Sequence, residues 1–185
     1  MISWIAPSAT IFAAVVAALL AYLNNNRMHR SQERLKWTNA QLGEFYGPLF
    51  SLSQAGEAAW LEFRNQVAPG AEYLFAGELT ETQKEEWRRW MTSVFMPINR
   101  RMHELIISRS HLLVGDEYPP QFVAFCAHVA AYEVILFRWS LGDHSVINST
   151  MRFPQDYRQH IAQVYTQLKG QQQALLRYVQ PRSVA

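Results

Sequence analysis

Residues 4–23, WIAPSATIFAAVVAALLAYL, carry no charged side chain, and Met1, Ile2 and Ser3 add none. Twenty helical residues rise about 30 Å, roughly the hydrocarbon thickness of a bilayer. Trp4 and Tyr22 stand near the two ends, where amphipathic rings favour the headgroup region. Pro7 falls in the first turns, where a missing N–H costs little. The stretch predicts a transmembrane anchor over residues 1–26. A cleaved signal peptide needs a basic leading region, which is missing here, and a shorter apolar core. A buried soluble helix is the other alternative.

Directly after this stretch, Arg27, Arg30, Arg34 and Lys36 stand against Glu33, so residues 27–36 carry 4 − 1 = +3. The positive-inside rule then predicts an N-terminus outside and the bulk of the chain in the cytoplasm, at the inner (plasma) membrane. The whole chain has 17 Lys+Arg and 15 Asp+Glu, which leaves 13 and 14 for residues 37–185, a net of −1. The excess positive charge therefore belongs to the basic juxtamembrane segment 27–36. Its natural partners are the bilayer and its anionic headgroups, and nucleic acid is not expected. Cys126 is the sole cysteine, so no intramolecular disulfide forms, as suits a reducing compartment. Ala9, Ala13, Ala17 and Ala21 recur every four residues, a spacing that lets two membrane helices approach closely; lipid exposure is the alternative.

Residues 37–185 suffice for one domain with its own core. Strand patterns are weak and helical periodicity is strong, so the expected fold is all-α, a cytoplasmic bundle of about four long helices. In the first, which spans about 28–67 and is open to continuity with the anchor, Leu35, Leu42, Phe45, Leu49, Leu52, Ala59 and Phe63 keep one stripe. Gly47-Pro48 interrupts it, and proline in a helix interior costs about 3 kcal/mol unless a kink absorbs it, so a bend or break is expected at Tyr46. FYGPLF at 45–50 reads as a structural signature without an attached activity. Thr80 and Gln83 form a capping-box pattern for the second helix, with a bend expected at Pro97. The third helix, about 120–141, is strongly apolar. His128, Glu133 and Arg138 within it argue for a central soluble helix rather than a second span. In the fourth, Tyr157, Ile161, Val164, Leu168, Leu175 and Tyr178 make a seam with Gln171 at a polar step.

Chemistry is thinly marked. Neither Glu-x-x-His pairs nor a zinc spacing is present, so no metal is expected. The glycine patterns of nucleotide loops and of nucleophile elbows are missing too, so no cofactor and no catalytic residue is assigned. Cys126 reads as an inert thiol, and Asp156 with His160 as a surface pair. Glu133 and Arg138, five apart, are poorly spaced for pairing within one helix, so each is expected at the interior or its edge with a partner elsewhere. Arg88, Arg89, Arg100 and Arg101 read as a solvated charged face.

Three functions remain. A membrane-anchored module acting by interaction with a protein partner or as a homo-oligomer leads. The second is a ligand-responsive bundle with a partly polar pocket of His103, His128, Glu133 and Arg138. The third is a membrane-bound enzyme whose catalytic groups converge only in the fold.

Overall fold

The computed structural model describes residues 5–67, 69 and 78–179, with the side chains of 5–10 left aside. Trp4, the side chain of Ala9 and most of the loop expected at 68–78 lie outside the described residues. Among the described residues the protein is all-helical, with 83% helix and no strand. The elements are α1 (Ile5–Ala40), a first π turn (Gln41–Tyr46), α2 (Gly47–Val67), α3 (Glu81–Trp90), a second π turn (Met91–Phe95), α4 (Met96–Ser108), a 3-10 turn (Ser110–Leu112), α5 (Pro120–Ser140) and α6 (Asp156–Val179). The two π turns join their flanking helices without a break in the helical backbone, so the described residues hold four continuous helical stretches.

The chain divides into two compact units, Met1–Asn39 with Leu168–Ala185, and Ala40–Gln167. α1 runs unbroken across the boundaries expected at residues 26 and 36. In the first unit, Ile11, Phe12, Val15, Leu19, Leu20 and Leu23 of α1 are exposed. Among the described residues, two helices are long and apolar enough to cross a membrane: the one near the N-terminus, whose apolar stretch is not buried, and α5, whose apolar stretch is 33% buried. At the other end of α1, Gln172 of α6 donates to Asn39 at 2.7 Å.

The larger unit has an aromatic core. Trp60, Phe63, Trp87, Trp90 and Phe95 meet edge-on or tilted at 5.5–6.2 Å. A second group gathers Phe45, Phe122, Phe125, Phe153 and Tyr157, with Phe125 stacked on Tyr157 at 4.2 Å. Offset and edge-on pairs of this kind add about 0.5–1.5 kcal/mol each beyond area burial. Phe50 stacks on Tyr165 at 4.5 Å, and Glu57 pairs with Arg158, so α2 and α6 run antiparallel here. The capping box at α3 forms as the sequence predicts, with Gln83 N–H on Thr80 Oγ1 at 3.2 Å and Thr80 N–H on Gln83 Oε1 at 3.0 Å.

Three expectations change. Of the bend or break expected at Tyr46, the break is not found, and Pro97 likewise stands in continuous helix. Pro48 and Pro97 each follow a π turn, in which the amide of Gly47 or Met96 reaches back five residues, to the carbonyl of Leu42 or Met91. The extra residue per turn shifts the carbonyls that a proline ring would otherwise strike. The α6 seam holds through Tyr157, Ile161 and Leu168, but Gln171 and Tyr178 are exposed. Finally, α5 is not wrapped on all sides. Phe122, Phe125, Val129, Tyr132, Ile135 and Trp139 are buried, while an apolar stripe on the opposite face is open.

Candidate functional site

α5 is the platform on which the candidate residues sit, and its two faces do different work. The inner face carries a strap, the irregular segment 142–155 between α5 and α6. Gly142 opens it at φ 79°, a backbone that favours glycine. Its N–H bonds the Trp139 carbonyl and that of Asp143 bonds Arg138, both at 3.0 Å, so a Schellman motif ends the helix.

A strap without regular structure leaves carbonyls for side chains to satisfy. Trp139 Nε1–H donates to Val146 O at 2.8 Å, and Trp87 Nε1–H to Ile147 O at 2.9 Å. The Tyr132 hydroxyl donates to Asn148 Oδ1. His128 Nδ1 meets Met151 O at 2.7 Å; a carbonyl only accepts, so the proton lies on Nδ1. The donors descend α5 from 139 through 132 to 128 while the strap ascends. His128 is buried against Tyr132 and Phe153. Burial pushes its pKa down, with the Met151 bond opposing. The ring is thus a neutral fastening.

The first π turn holds the α4–α5 connection in a similar way. Gln41 Nε2 donates to Leu112 O at 3.1 Å, the Val114 amide donates to the Tyr46 hydroxyl at 3.2 Å, and Glu44 pairs with Arg109 at 3.1 Å. Residues five apart diverge by about 140° on an α-helix and by much less along a wider π turn, which lets Gln41 and Tyr46 address the same connection. Single-sequence periodicity missed this site because it presumes an α-helical repeat; Gly47-Pro48 was the only available signal.

The outer face of α5 is apolar. Val123, Val134, Phe137 and Leu141 are 57%, 61%, 64% and 71% exposed, with Ala127 and Ala130 completing the stripe. Glu133 and Arg138 flank it on opposite sides. Both are half-exposed, at the edge rather than the interior. Glu133 takes a two-pronged bond from Arg100 of α4, at 2.6 Å from Nε and 2.8 Å from Nη2. That guanidinium holds the Glu133 carboxyl below its ordinary value, with the charges of Arg100 and His103 assisting. Arg138 binds Asp143 through Nε at 2.8 Å and Nη2 at 2.7 Å. Hydrogen bonds from Ser145, then from Arg138, bring the Asp143 carboxyl down to about 2.

His128, Glu133 and Arg138 thus point to different sides of α5 and take separate partners, and the hydrogen bonds do not join them with His103 as one set. Among the described residues, no group of three or more His, Cys, Asp or Glu could hold a metal ion. Cys126 is half-buried, and burial pushes its thiol up, toward the protonated form. His160 packs edge-on against Phe122 at 5.4 Å; burial lowers its pKa while the charge of Asp156 opposes. Arg89 pairs with Glu86 at 2.8 Å and Arg101 with Glu104 at 2.9 Å on the outside of the unit. On α1, Arg27, Arg30, Arg34 and Lys36 are all exposed, as are Ala13, Ala17 and Ala21. Comparison of the chain with protein-family models, with curated proteins and with solved structures finds no match.

Proposed function

We propose that this chain is a single-pass membrane protein whose helical domain works by binding a protein surface at the cytoplasmic face of the bilayer. The outer face of α5 carries the reading. Burying one Val, Leu or Phe contributes about 1.5–3 kcal/mol, so four such side chains left open in register are a large unused resource. The same helix uses its other face for the core.

The anchor is supported by the uncharged stretch at the start of α1, whose side chains from Ile11 to Leu23 are exposed. The cationic step that follows it favours an N-out orientation and attraction to anionic headgroups. A second span at α5 is disfavoured, because Glu133 and Arg138 would meet hydrocarbon at about 2.5–3.5 kcal/mol for each ionised residue near the bilayer centre.

The test is chemical cross-linking of the full chain in membranes, followed by purification in mild detergent. A discrete complex is expected, weakened when Val134→Asp and Phe137→Asp are introduced together. A wild-type chain that yields no complex of any composition refutes the proposal.

A further inference from the structure

We infer that the occupant of the α5 stripe is a second copy of this chain, packed parallel, so that α5 pairs with α5 in a homodimer. The inference rests on the interaction role proposed above.

The spacing is the first argument. Val123, Ala127, Ala130, Val134, Phe137 and Leu141 step by four, three, four, three and four. That alternation of four and three is the heptad pattern of a two-helix seam, in which each side chain enters a hole on its partner. Alanine in the first half of the stripe permits close approach, and Phe137 with Leu141 fills the second half.

Charge decides what the partner is. With Val134 taken as a seam position of the a type, Glu133 precedes it at g, and Arg138 follows Phe137 at e. In a parallel pair the g residue of one helix faces the e residue five places further along the other. The spacing of five that keeps Glu133 from Arg138 within one helix is therefore the spacing that joins them between two. An antiparallel pair would bring g flank against g flank and e flank against e flank, so Glu133 would not meet Arg138.

The bonds within each copy reinforce the arrangement. Arg138 holds Asp143 and Ser145 through Nε and Nη2, leaving Nη1 to reach outward. Arg100 occupies one edge of the Glu133 carboxylate, which keeps further lone pairs. The resulting row is Arg100, Glu133, the second copy's Arg138 and the second copy's Asp143, alternating in sign. Two-fold symmetry supplies the row twice. A shared bilayer anchor raises the effective concentration of one copy for another.

Cysteine cross-linking of the full chain in native membranes tests register and partner together. Cys126→Ser removes the native thiol, and Ala130→Cys, Val134→Cys and Phe137→Cys are introduced singly, with exposed Gln163→Cys on α6 as the control. In a parallel seam each stripe residue meets its own counterpart, so all three stripe variants form disulfide dimers and the control does not. Separately, Glu133→Lys or Arg138→Glu alone weakens the dimer about tenfold or more, and the two together recover part of that loss, since the exchanged charges then stand beside Arg100 and Asp143 of like sign. Cross-linking at a single stripe position, as an antiparallel pair would give, overturns the inference, as does a dimer indifferent to Phe137→Asp. A monomer that holds a different protein or lipid on the stripe overturns the homodimer and leaves the interaction role standing; a monomer that holds nothing overturns both.

Discussion

A Cβ placed on Gly47 would lie under 3.0 Å from the carbonyl oxygen of Leu42, closer than real side chains come. That oxygen accepts the Gly47 amide across the first π turn, so the two backbones are drawn together where a side chain would stand. Gly43, in the same turn, has open space around it. Gly47→Ala is expected to destabilise the larger unit by about 1–3 kcal/mol, as overpacking does. The melting temperature should fall by about 5 °C. Gly43→Ala should leave stability unchanged or raise it by about 0.5 kcal/mol, since alanine is the better helix former. Thermal denaturation followed by the helical signal compares them, and equal effects would remove the special role of Gly47.

The same turn shows what the sequence discloses and what it withholds. Helix existence was legible, because apolar side chains recur at helical spacing and Thr80 with Gln83 caps α3. The stripe Phe45, Leu49 and Phe63 is buried as its spacing implies. What failed was the alternative of a break at Pro48. A π turn absorbs a proline without ending a helix, and no local pattern distinguishes it beforehand. Glu133 and Arg138 lie at the edge of the core, one of the two places read for them; hydropathy averaged over α5 hides that both its faces are apolar and that the charged residues lie on its flanks. The strap bonds were not legible, since they join side chains to backbone carbonyls of an irregular segment.

The indole bonds that tie the strap should be separable from ring packing. Trp139→Phe keeps an aromatic ring and removes the donor to Val146 O; Trp87→Phe removes the donor to Ile147 O. Each leaves a carbonyl short of its donor, at about 1 kcal/mol. Cleavage within 142–155 by limited proteolysis should accelerate about fivefold for either variant. The two carbonyls are adjacent, so the double variant should depart from additivity. Cleavage at the wild-type rate would mean that ring packing alone holds the strap.

His128 makes stability depend on pH. The folded protein holds its pKa below 6.5, through burial first and against the Met151 bond. An unfolded chain takes up this proton as the pH falls past that value, while the folded chain does not. Its contribution is therefore full above 6.5 and is lost as pH drops toward the folded value. The lowered pKa of His160 adds loss in the same direction. His128→Asn keeps a donor for the Met151 carbonyl and cannot titrate. The melting-temperature difference between about pH 7.5 and 5.5 should shrink in this variant and shrink further on adding His160→Gln. An unchanged difference in His128→Asn would show that this ring is not held neutral.

Tyr46 offers a readout at a single amide. Its hydroxyl accepts the Val114 N–H at 3.2 Å, and burial pushes its phenol above the ordinary value despite that bond. Tyr46→Phe preserves the ring contact with Phe45 at 4.7 Å and removes only the acceptor. The Val114 amide should then exchange with solvent about fivefold faster, the equivalent of about 1 kcal/mol, while α4 amides keep their protection. Gln41→Ala should act on the same connection by releasing the Leu112 carbonyl, and so also speed exchange at Val114. If exchange quickens equally throughout α4 and α5, the π turn is supporting the whole unit; a change confined to residues 110–114 identifies it as the clamp on this connection.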